Sequence, residues 1–260
     1  GQNFLTARNI LEEIVDAAEI ESGVIEVGPG FGVLTSELAQ NSDKVVTIEI
    51  DERLIDVLDY TLAEYDNVKI INEDILKLDL KKVIDDEFNG EKVSIAANLP
   101  YYITTPIITK LLEEKLPIKN IVVMVQKEVA ERMSAKPSTK DYGAITVLCQ
   151  YYTEPSIVAN VPASLFVPPP KVDSAVLKLK VLDKPSVEVK DEGVFFRVVK
   201  AAFSQRRKTL LNCLSANFPI PKDEISTLLE SIGIAPSRRG ETLSLKEFAN
   251  IADTLLQKIK

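Results

Sequence analysis

Short apolar runs recur along the first half of the chain with helical stretches between them, and this alternation constrains the fold more than any other feature. The runs are Val24–Val27, Val45–Ile50, Val68–Ile71, Val93–Ala97 and Ile121–Val125. The intervening helical stretches are Leu34–Ala39, Leu54–Tyr65 and Pro106–Leu112. Strands that alternate with helices in this way are typical of a parallel sheet covered on both faces. The sequence therefore predicts an α/β domain.

The pattern changes in the second half of the chain. Three apolar stretches without full helices between them predict an antiparallel hairpin at the sheet edge: Ala144–Tyr152, Ser156–Val161 and Ala175–Val181. A polar segment, LDKPSVEVKDEG, then predicts a linker. Beyond it, helical spacing predicts Val194–Ser204, Lys208–Ala216, Asp223–Ile232 and Leu245–Ile259. We expect a sheet domain over residues 1–182 and a small all-α domain over residues 183–260.

The chain contains no histidine, which limits the chemistry that it can perform. Histidine is the commonest general base and metal ligand, so Ser–His and Cys–His triads are excluded. Cys149 and Cys213 lie far apart in sequence and cannot supply a four-ligand zinc site. We therefore expect no bound metal and a reaction that needs little proton transfer.

The sequence has neither a signal-peptide pattern nor an apolar run long enough to span a membrane. Together with the two isolated cysteines, these features predict a cytoplasmic protein without disulfides, and we expect a monomer. Because the sequence begins at Gly1 rather than at a methionine, we also expect further residues before it.

The net charge of −8 is unevenly distributed. Residues 1–180 contain 18 basic and 29 acidic side chains, whereas residues 181–260 contain 13 basic and 10 acidic ones. The first segment therefore carries a net charge of −11 and the second a net charge of +3. Because binding to nucleic acid depends on local basic surfaces more than on total charge, the acidic total does not exclude such a partner.

A glycine repeat follows the first predicted strand, in the segment VIEVGPGFGVLT. Gly28, Gly30 and Gly32 allow the backbone to turn sharply and approach a ligand, although a tight turn alone would also explain them. A dinucleotide fingerprint requires a third glycine where Val33 stands, so pyrophosphate binding is less convincing. Glu26, just before the repeat, favours a ligand with positive charge.

Acidic residues end the next two predicted strands, where open α/β sheets bind ligands. Glu49, beside Ile50, is a candidate acceptor for ribose hydroxyls, and Asp74 is a candidate for an adenine amino group with Ile75 against the ring. Each acid alone is more often a solvated charge or a helix cap. Together they resemble the class I S-adenosylmethionine-dependent methyltransferases, which implies a Rossmann-like seven-stranded sheet.

The fourth strand ends in Asn98, Leu99, Pro100 and Tyr101, since proline cannot continue a sheet ladder. This motif resembles the (Asn/Asp)-Pro-Pro-(Tyr/Phe) motifs of methyltransferases that act on exocyclic nucleobase amines. In that reading, the Asn98 side-chain oxygen and the Leu99 carbonyl accept the two amine hydrogens, and Tyr101 stacks on the base. The alternative is that Asn98 caps the turn and Tyr101 packs on the sheet.

Further motifs extend the resemblance over essentially the whole chain. Together with NLPY, the following segments resemble the KsgA-type ribosomal RNA adenine dimethyltransferases: GQNFLT (1–6), QKEVAERM (126–133), KDYGAITVLCQ (140–150), FVPPPKVDSAVLKL (166–179) and FSQRRKTLLN (203–212). The resemblance implies an S-adenosylmethionine-dependent enzyme that dimethylates N6 of two adjacent adenosines near the 3′ end of small-subunit rRNA. It further implies S-adenosylhomocysteine as product, an immature small ribosomal subunit as partner, and a role in subunit biogenesis.

The resemblance also implies roles for residues outside the central motifs. Gln2, Asn3 and Leu5 would close over the cofactor, Asn98 would lie beside it, and Phe166 would flank the target adenine opposite Tyr101. Phosphate contacts are expected from the basic residues Arg197, Lys200, Arg206, Arg207 and Lys208, to which Arg238 and Arg239 add. A solvated helix face would equally explain those charges, and Phe166 would otherwise be a packed loop residue.

Two other functions are compatible with the motifs. An Erm-like methylase that acts on large-subunit rRNA and confers antibiotic resistance shares the opening, glycine and Asn98 motifs. It ranks second because QKEVAERM and DYGAITVL look KsgA-like and because Erm-type enzymes are usually basic. A non-catalytic ribosome-assembly or transcription factor on the same fold is the third reading, and the intact NLPY motif disfavours it.

Overall fold

The computed structural model of this protein describes the backbone of Phe4, all of Leu5, and residues 7–259. Contacts between Cα atoms divide the chain into two units: Gly1–Ala130 with Glu154–Leu182, and Glu131–Thr153 with Asp183–Lys260. One junction coincides with the boundary expected at residue 182. Residues 131–153, however, group with the helical unit, in contrast to the assignment of all of residues 1–182 to one domain.

The first unit contains a seven-stranded sheet. The described strands are β1 (Phe4–Leu5), β2 (Val24–Val27), β3 (Val45–Glu49), β4 (Val68–Asn72), β5 (Val93–Asn98), β6 (Ile118–Gln126), β7 (Thr153–Val161), β8 (Phe166–Val167) and β9 (Ser174–Val181). The order in the sheet is β4-β3-β2-β5-β6-β9-β7, and β1 pairs separately with β8. The first five strands in this order, β4, β3, β2, β5 and β6, run parallel to one another, whereas β9 is antiparallel to β6. The predicted α/β architecture with seven strands is confirmed.

Helices cover the sheet, and their apolar faces form its core. They are α1 (Arg8–Ala18), α2 (Val33–Gln40), α3 (Ile55–Thr61), α4 (Leu80–Phe88) and α5 (Thr104–Glu113), while α6 (Lys127–Met133) continues into the second unit. Strands β2 and β3 are buried along their whole length, because helices shield a parallel sheet on both faces. This burial explains why both strands appear as continuous apolar runs in the sequence.

The second unit is helical. It consists mainly of α7 (Ala144–Tyr152), α8 (Glu192–Ala202), α9 (Leu210–Asn217), α10 (Lys222–Ser231) and α11 (Leu245–Ile259). The four helices predicted after the linker correspond to α8 to α11, with ends displaced by a few residues. Within the described part of the chain, every helix is too short or too polar to cross a lipid bilayer.

The strand prediction for Ala144–Tyr152 was wrong, because this segment is helix α7. The run is apolar almost throughout, and such a run does not distinguish a buried strand from a buried helix. Its start is fixed by a hydrogen bond from the Gly143 N–H to Thr146 Oγ1 (3.0 Å). The ring of Tyr151 stacks on Phe195 of α8 at 4.8 Å between centroids. Tertiary burial against α8 therefore favours the helix.

Candidate active site

The predicted ligand-binding residues lie where successive parallel strands end. Glu49 ends β3, Gly28 follows β2, and Asn98 ends β5. Because β3 and β5 flank β2 in the sheet, these three positions lie at one edge. Asp74 follows β4, the next strand outward, so the fold brings all four strand ends of the prediction to the same side.

The glycine loop after β2 needs its glycines for two different reasons. Gly28, Gly30 and Gly32 all have left-handed backbone torsions, with φ of +71°, +60° and +84°. A Cβ atom on Gly32 would lie 3.1 Å from the Leu62 side chain, so packing also requires glycine there. A Cβ atom on Gly28 would meet no described atom within 4 Å. Gly28 therefore faces open space where a ligand fits.

Glu49 carries an acceptor oxygen that the described residues leave without a partner. Its side chain is 4% exposed, and Oε1 accepts a hydrogen bond from the Asp51 N–H at 2.9 Å. Oε2 is buried and has no hydrogen bond within the described part of the protein. Buried polar atoms are normally paired, so this oxygen fits a ligand donor such as a ribose hydroxyl. The neighbouring Ile50 is 66% exposed and offers an apolar surface beside it.

Glu26 is buried beneath the loop rather than open to solvent. Its Oε2 accepts hydrogen bonds from Thr35 Oγ1 (2.5 Å) and Thr47 Oγ1 (3.4 Å), which belong to α2 and β3. Loss of hydration on burial, together with the nearby Glu49 carboxylate, raises the pKa of Glu26 to about 7, although both hydroxyls oppose this shift. Glu26 therefore joins three elements of the site and does not present a fixed negative charge to solvent.

Asp74 and Ile75 lie after β4 and differ in exposure. The Asp74 Oδ1 atom accepts a hydrogen bond from the Leu76 N–H (3.0 Å), and Oδ2 lies 3.8 Å from Lys77 Nζ. The Ile75 side chain is buried, at 7% exposure. Asp74 thus closes a local turn, while among the described residues its Oδ2 has only the long ion pair with Lys77.

The NLPY motif forms a turn directly after β5. The Leu99 N–H still donates to the Met124 carbonyl of β6 (3.1 Å), and the Pro100 carbonyl accepts from the Ile103 N–H (3.1 Å). The half-buried side-chain amide of Asn98 forms no hydrogen bond with other described residues. Its oxygen is therefore available to accept a hydrogen bond from a ligand amine.

Tyr101 is held by a residue that the sequence analysis did not identify. Its hydroxyl lies 2.9 Å from the hydroxyl of Ser174, the first residue of β9. The packing alternative for Tyr101 is thus partly realised, because one end of the ring is anchored to the sheet. Ser174 lies within the quoted segment FVPPPKVDSAVLKL, but a serine in a motif does not reveal its partner.

The N-terminal and proline-rich segments meet as a short pair of strands. Leu5 of β1 lies opposite Phe166 of β8. Phe166 is 3% exposed and belongs to the hydrophobic core beside the sheet, so contact with a base requires its ring to leave that core. Gln2 and Asn3, predicted at the cofactor, lie outside the described residues.

The basic residues of the helical unit differ in their surroundings. Arg206, Arg207 and Lys208 lie together, exposed, in the loop between α8 and α9. Arg206 Nη2 donates to the Lys140 carbonyl at 2.8 Å, which places a lysine overlooked in the sequence analysis beside this cluster. Lys200 is exposed near the end of α8.

The remaining three arginines of the prediction form contacts within the helical unit. Arg197 lies over the Phe218 ring at 4.4 Å and donates to the Asn217 carbonyl. Arg238 is paired with Glu247, and a guanidinium nitrogen of Arg239 lies 3.9 Å from a carboxylate oxygen of Glu241. Carboxylates therefore partly neutralise Arg238 and Arg239, while the Arg197 guanidinium packs on an aromatic ring.

No cluster of three potential metal ligands occurs in the part of the chain that the structure describes. The polar atoms gathered at the strand ends are instead hydrogen-bond acceptors: the Glu49 carboxylate, the Asn98 amide oxygen and backbone carbonyls. This set of acceptors suits a ligand that donates hydrogen bonds from hydroxyl or amine groups.

Comparison with known proteins identifies similar chains over the full length. Residues 1–257 match the family model described as "Ribosomal RNA adenine dimethylase". The chain is 55% identical over 262 aligned positions to ribosomal RNA small subunit methyltransferase A of Bacillus mycoides, covering 98% of this chain and 90% of the relative. The protein of the same name from Bacillus cereus is similar to the same extent.

Two solved structures have similar folds over almost the whole chain. A dimethyladenosine transferase from Plasmodium falciparum superposes with a TM-score of 0.79 at 30% identity, covering 95% of each chain. The 23S rRNA methyltransferase ErmE superposes with a TM-score of 0.74 at 27% identity, covering 98% of this chain and 100% of that chain.

Proposed function

This chain belongs to the ribosomal RNA adenine dimethylase family, and from that membership we propose the details of its reaction. It is an rRNA adenine dimethyltransferase, and its substrate is N6 of two adjacent adenosines near the 3′ end of small-subunit rRNA. The 55% identity to small-subunit enzymes, against 27% to ErmE, favours the small subunit. The modification belongs to the biogenesis of that subunit.

One observation carries this proposal: two sets of free acceptors flank the glycine loop at a single sheet edge. On one side is the buried Oε2 of Glu49, which has no partner among the described residues, and on the other is the Asn98 amide with the turn that follows it. The first set fits the ribose of S-adenosylmethionine. The second fits a nucleobase amine. Methyl transfer requires the two ligands side by side.

S-adenosylmethionine would supply an electrophilic methyl group on its sulfonium, and S-adenosylhomocysteine would be the product. Glu49 would accept hydrogen bonds from the ribose hydroxyls, and Gly28 and Gly30 would leave room for the chain that bears the sulfonium. Ile50 and Ile75 provide apolar contacts for the adenine ring, and Asp74 accepts from its amino group. Leu5, with Gln2 and Asn3, closes the site over the cofactor.

The chain activates its substrate by hydrogen bonding rather than by removing a proton first. The lone pair of adenine N6 is delocalised into the ring, so the amine is a poor nucleophile. In the first transfer, the Asn98 oxygen and the Leu99 carbonyl accept hydrogen bonds from its two N–H groups and stabilise the positive charge that develops, and the methylated nitrogen then releases one proton to water. In the second transfer, a single N–H remains, and one of the two acceptors binds it before that proton is released in turn. Pro100 directs that carbonyl, and Tyr101 stacks on the base. Such chemistry needs positioning more than a base, consistent with a sequence that lacks histidine.

The proline-rich loop and the helical unit supply the remaining substrate contacts. Phe166 flanks the base opposite Tyr101 after its ring leaves the core. Phosphate contacts come from the exposed basic residues Arg206, Arg207 and Lys208, with Lys200 and Arg197. We place the enzyme in the cytoplasm and expect it to act as a monomer without a metal, with size-exclusion chromatography as the check of oligomeric state.

Mass spectrometry of rRNA tests the function directly. Purified, unmodified small and large ribosomal subunits are incubated side by side with the protein and S-adenosylmethionine, and the modified nucleotides are mapped. Two dimethylated adenosines near the 3′ end of small-subunit rRNA are expected. Modification confined to large-subunit rRNA would instead support the Erm-like function. Binding without any methyl transfer to either subunit would support a non-catalytic assembly factor.

A further inference from the structure

We propose that Ser174 is a positioning residue for the base-stacking ring of Tyr101, a role that rests on the function proposed above. The two hydroxyl oxygens lie 2.9 Å apart. Ser174 is 1% exposed and occupies a strand position opposite Gln126 of β6. A buried hydroxyl on a paired strand has little freedom to move, so it holds the far end of the ring at one place.

The strand order explains why this contact is effective. Tyr101 follows β5, Ser174 begins β9, and β6 lies between these two strands. The Leu99 N–H is bonded to Met124 of β6, so the backbone of the motif is fixed to the same strand. The ring of Tyr101 therefore reaches across β6 and is held at both ends, by its backbone on one side and by Ser174 on the other.

The residue before Ser174 fixes a second segment of the site. Asp173 Oδ1 accepts a hydrogen bond from the Ala163 N–H at 2.9 Å, three residues before Phe166. The Asp173 carbonyl accepts from the Lys127 N–H at 3.0 Å, which extends the pairing of β6 with β9. The start of β9 thus positions both the ring of Tyr101 and the loop that leads to Phe166.

A double-mutant cycle tests this role in the full-length protein. Ser174→Ala and Tyr101→Phe each remove one partner of the hydrogen bond. Each is expected to lower kcat on small-subunit rRNA by about tenfold, the upper range for a net hydrogen bond. The KM for the subunit should change less than twofold, because other contacts bind the RNA. The double variant should be no slower than either single variant, since both remove the same interaction.

Ser94→Ala is the matched control. Ser94 is 2% exposed and donates one hydrogen bond, to the Ala18 carbonyl, near the opposite end of the sheet. Ser94→Ala should lower the unfolding temperature without changing kcat. Ser174→Ala should lower kcat even at temperatures well below the one at which the variant unfolds. A wild-type kcat for Ser174→Ala, or multiplicative effects in the double variant, would overturn the proposal. Failure of the wild type itself to methylate small-subunit rRNA would instead overturn the proposed function.

A second inference rests on a different observation, the basic loop of residues 134–143 in the helical unit. Its backbone is held in place, because the Ser138 N–H donates to the Glu241 carbonyl (2.7 Å) and Gln150 Nε2 donates to the Ala135 carbonyl (2.7 Å). Lys136 and Lys140 are both exposed on it. The Arg206 guanidinium bonds the Lys140 carbonyl, so this loop adjoins the cluster Arg206–Lys208.

From this juxtaposition we infer that Lys136 and Lys140 contact RNA phosphates together with Arg206, Arg207 and Lys208. A fixed backbone that carries flexible cationic side chains can follow a phosphate backbone without reading its sequence. This inference also rests on the proposed function. It gives a role to the segment KDYGAITVLCQ, whose helix α7 anchors the loop and whose first residue is Lys140.

The salt dependence of binding measures this contribution. The association constant for small-subunit rRNA falls as salt is added, so a plot of its logarithm against log salt has a negative slope. For the double variant Lys136→Gln/Lys140→Gln, this slope should become less steep by about 1.5, as expected for two lost phosphate contacts. Lys184→Gln/Lys222→Gln, two exposed lysines elsewhere in the same unit, is the control of equal charge and should keep the wild-type slope. A wild-type slope in the first variant would overturn the inference. Salt-independent binding by the wild type would count against the proposed RNA substrate instead.

Discussion

The candidate site at the strand ends is marked by single polar atoms that have no hydrogen-bond partner among the described residues. Glu49 Oε2 is the clearest case, because it is buried and unpaired among the described residues. An unsatisfied buried acceptor costs about 1–3 kcal/mol, and a ligand that donates to it would remove that cost. Asn98 is its counterpart beyond β2, with a half-buried amide that forms no hydrogen bond with other described residues.

Asn98→Ala should abolish most methyl transfer while leaving cofactor binding intact. The substitution removes one of the two proposed acceptors for the charge that develops on N6. Losing this acceptor should raise the barrier by about 3 kcal/mol, or lower kcat roughly a hundredfold. Calorimetric titration with S-adenosylmethionine should give the wild-type affinity. Unchanged turnover would mean that Asn98 only caps the turn.

Glu49→Gln should have the opposite profile. Losing the charged acceptor should weaken S-adenosylmethionine binding by about 2 kcal/mol, or roughly thirtyfold, the scale of a hydrogen bond to a charged group. The stability of the cofactor-free protein should stay equal or rise, because a buried unpaired carboxylate is removed. Calorimetry and thermal unfolding measure the two effects. Wild-type affinity in this variant would contradict the ribose assignment.

At the level of secondary-structure elements, Glu26 connects the parts that shape the glycine loop. It lies on β2 and accepts hydrogen bonds from Thr35 of α2 and Thr47 of β3. The loop after Glu26 turns through glycines with positive φ before α2 begins. The geometry of this loop thus depends on a carboxyl group that is easily protonated, because burial raises its pKa to about 7.

This pKa predicts a pH dependence of stability. In the unfolded chain Glu26 titrates near 4.5, so the folded state binds its proton more strongly. The resulting stabilisation is complete below pH 4.5 and is lost as the pH rises through about 7, a total of about 3 kcal/mol.

Glu26→Gln, which imitates the protonated form, isolates this contribution from the other carboxylates. The variant should match the wild type in urea denaturation near pH 4.5 and exceed it in stability above pH 7. A constant difference between the two proteins across this range would contradict the assignment.

On the scale of the whole molecule, we assign methyl transfer and the phosphate contacts of RNA binding to different parts of the chain. Residues 1–180 carry a net charge of −11 and contain the proposed transfer site, whereas residues 181–260 carry +3. Attraction to a polyanion therefore depends on exposed clusters rather than on the total charge of −8. The loop Arg206–Lys208 is such a cluster, whereas Arg238 is paired with Glu247.

The triple variant Arg206→Gln/Arg207→Gln/Lys208→Gln should lose RNA affinity without losing cofactor affinity. Three lost phosphate contacts should lower binding to small-subunit rRNA by about tenfold or more at low salt, and the difference should shrink as salt is added. Filter binding over a salt series measures the first effect and calorimetry the second. An equal loss of S-adenosylmethionine binding would indicate misfolding rather than lost contacts.

Much of the molecule follows from local patterns in the sequence. The structure confirms the five parallel strands and the four C-terminal helices. It also places four residues of the predicted site at strand ends: Gly28, Glu49, Asp74 and Asn98. These features depend on the spacing of apolar residues and on the residues that interrupt it. Both are local properties that can be read from positions close together in the sequence. The α7 helix was mispredicted because its apolar run has no clear period, and packing on Phe195 decides its form.

The sequence by itself therefore determined the order of elements and which residues end each strand. Only the tertiary structure decided which distant residues meet. The hydroxyl of Ser174 lies beside that of Tyr101, 73 positions away, and the Arg206 guanidinium bonds the backbone carbonyl of Lys140, 66 positions away. It also decided that Glu26 is buried and that no described residue forms a hydrogen bond with Glu49 Oε2. The physical reason is that a contact between distant residues depends on strand order and register, which are set when the whole sheet buries its apolar faces together.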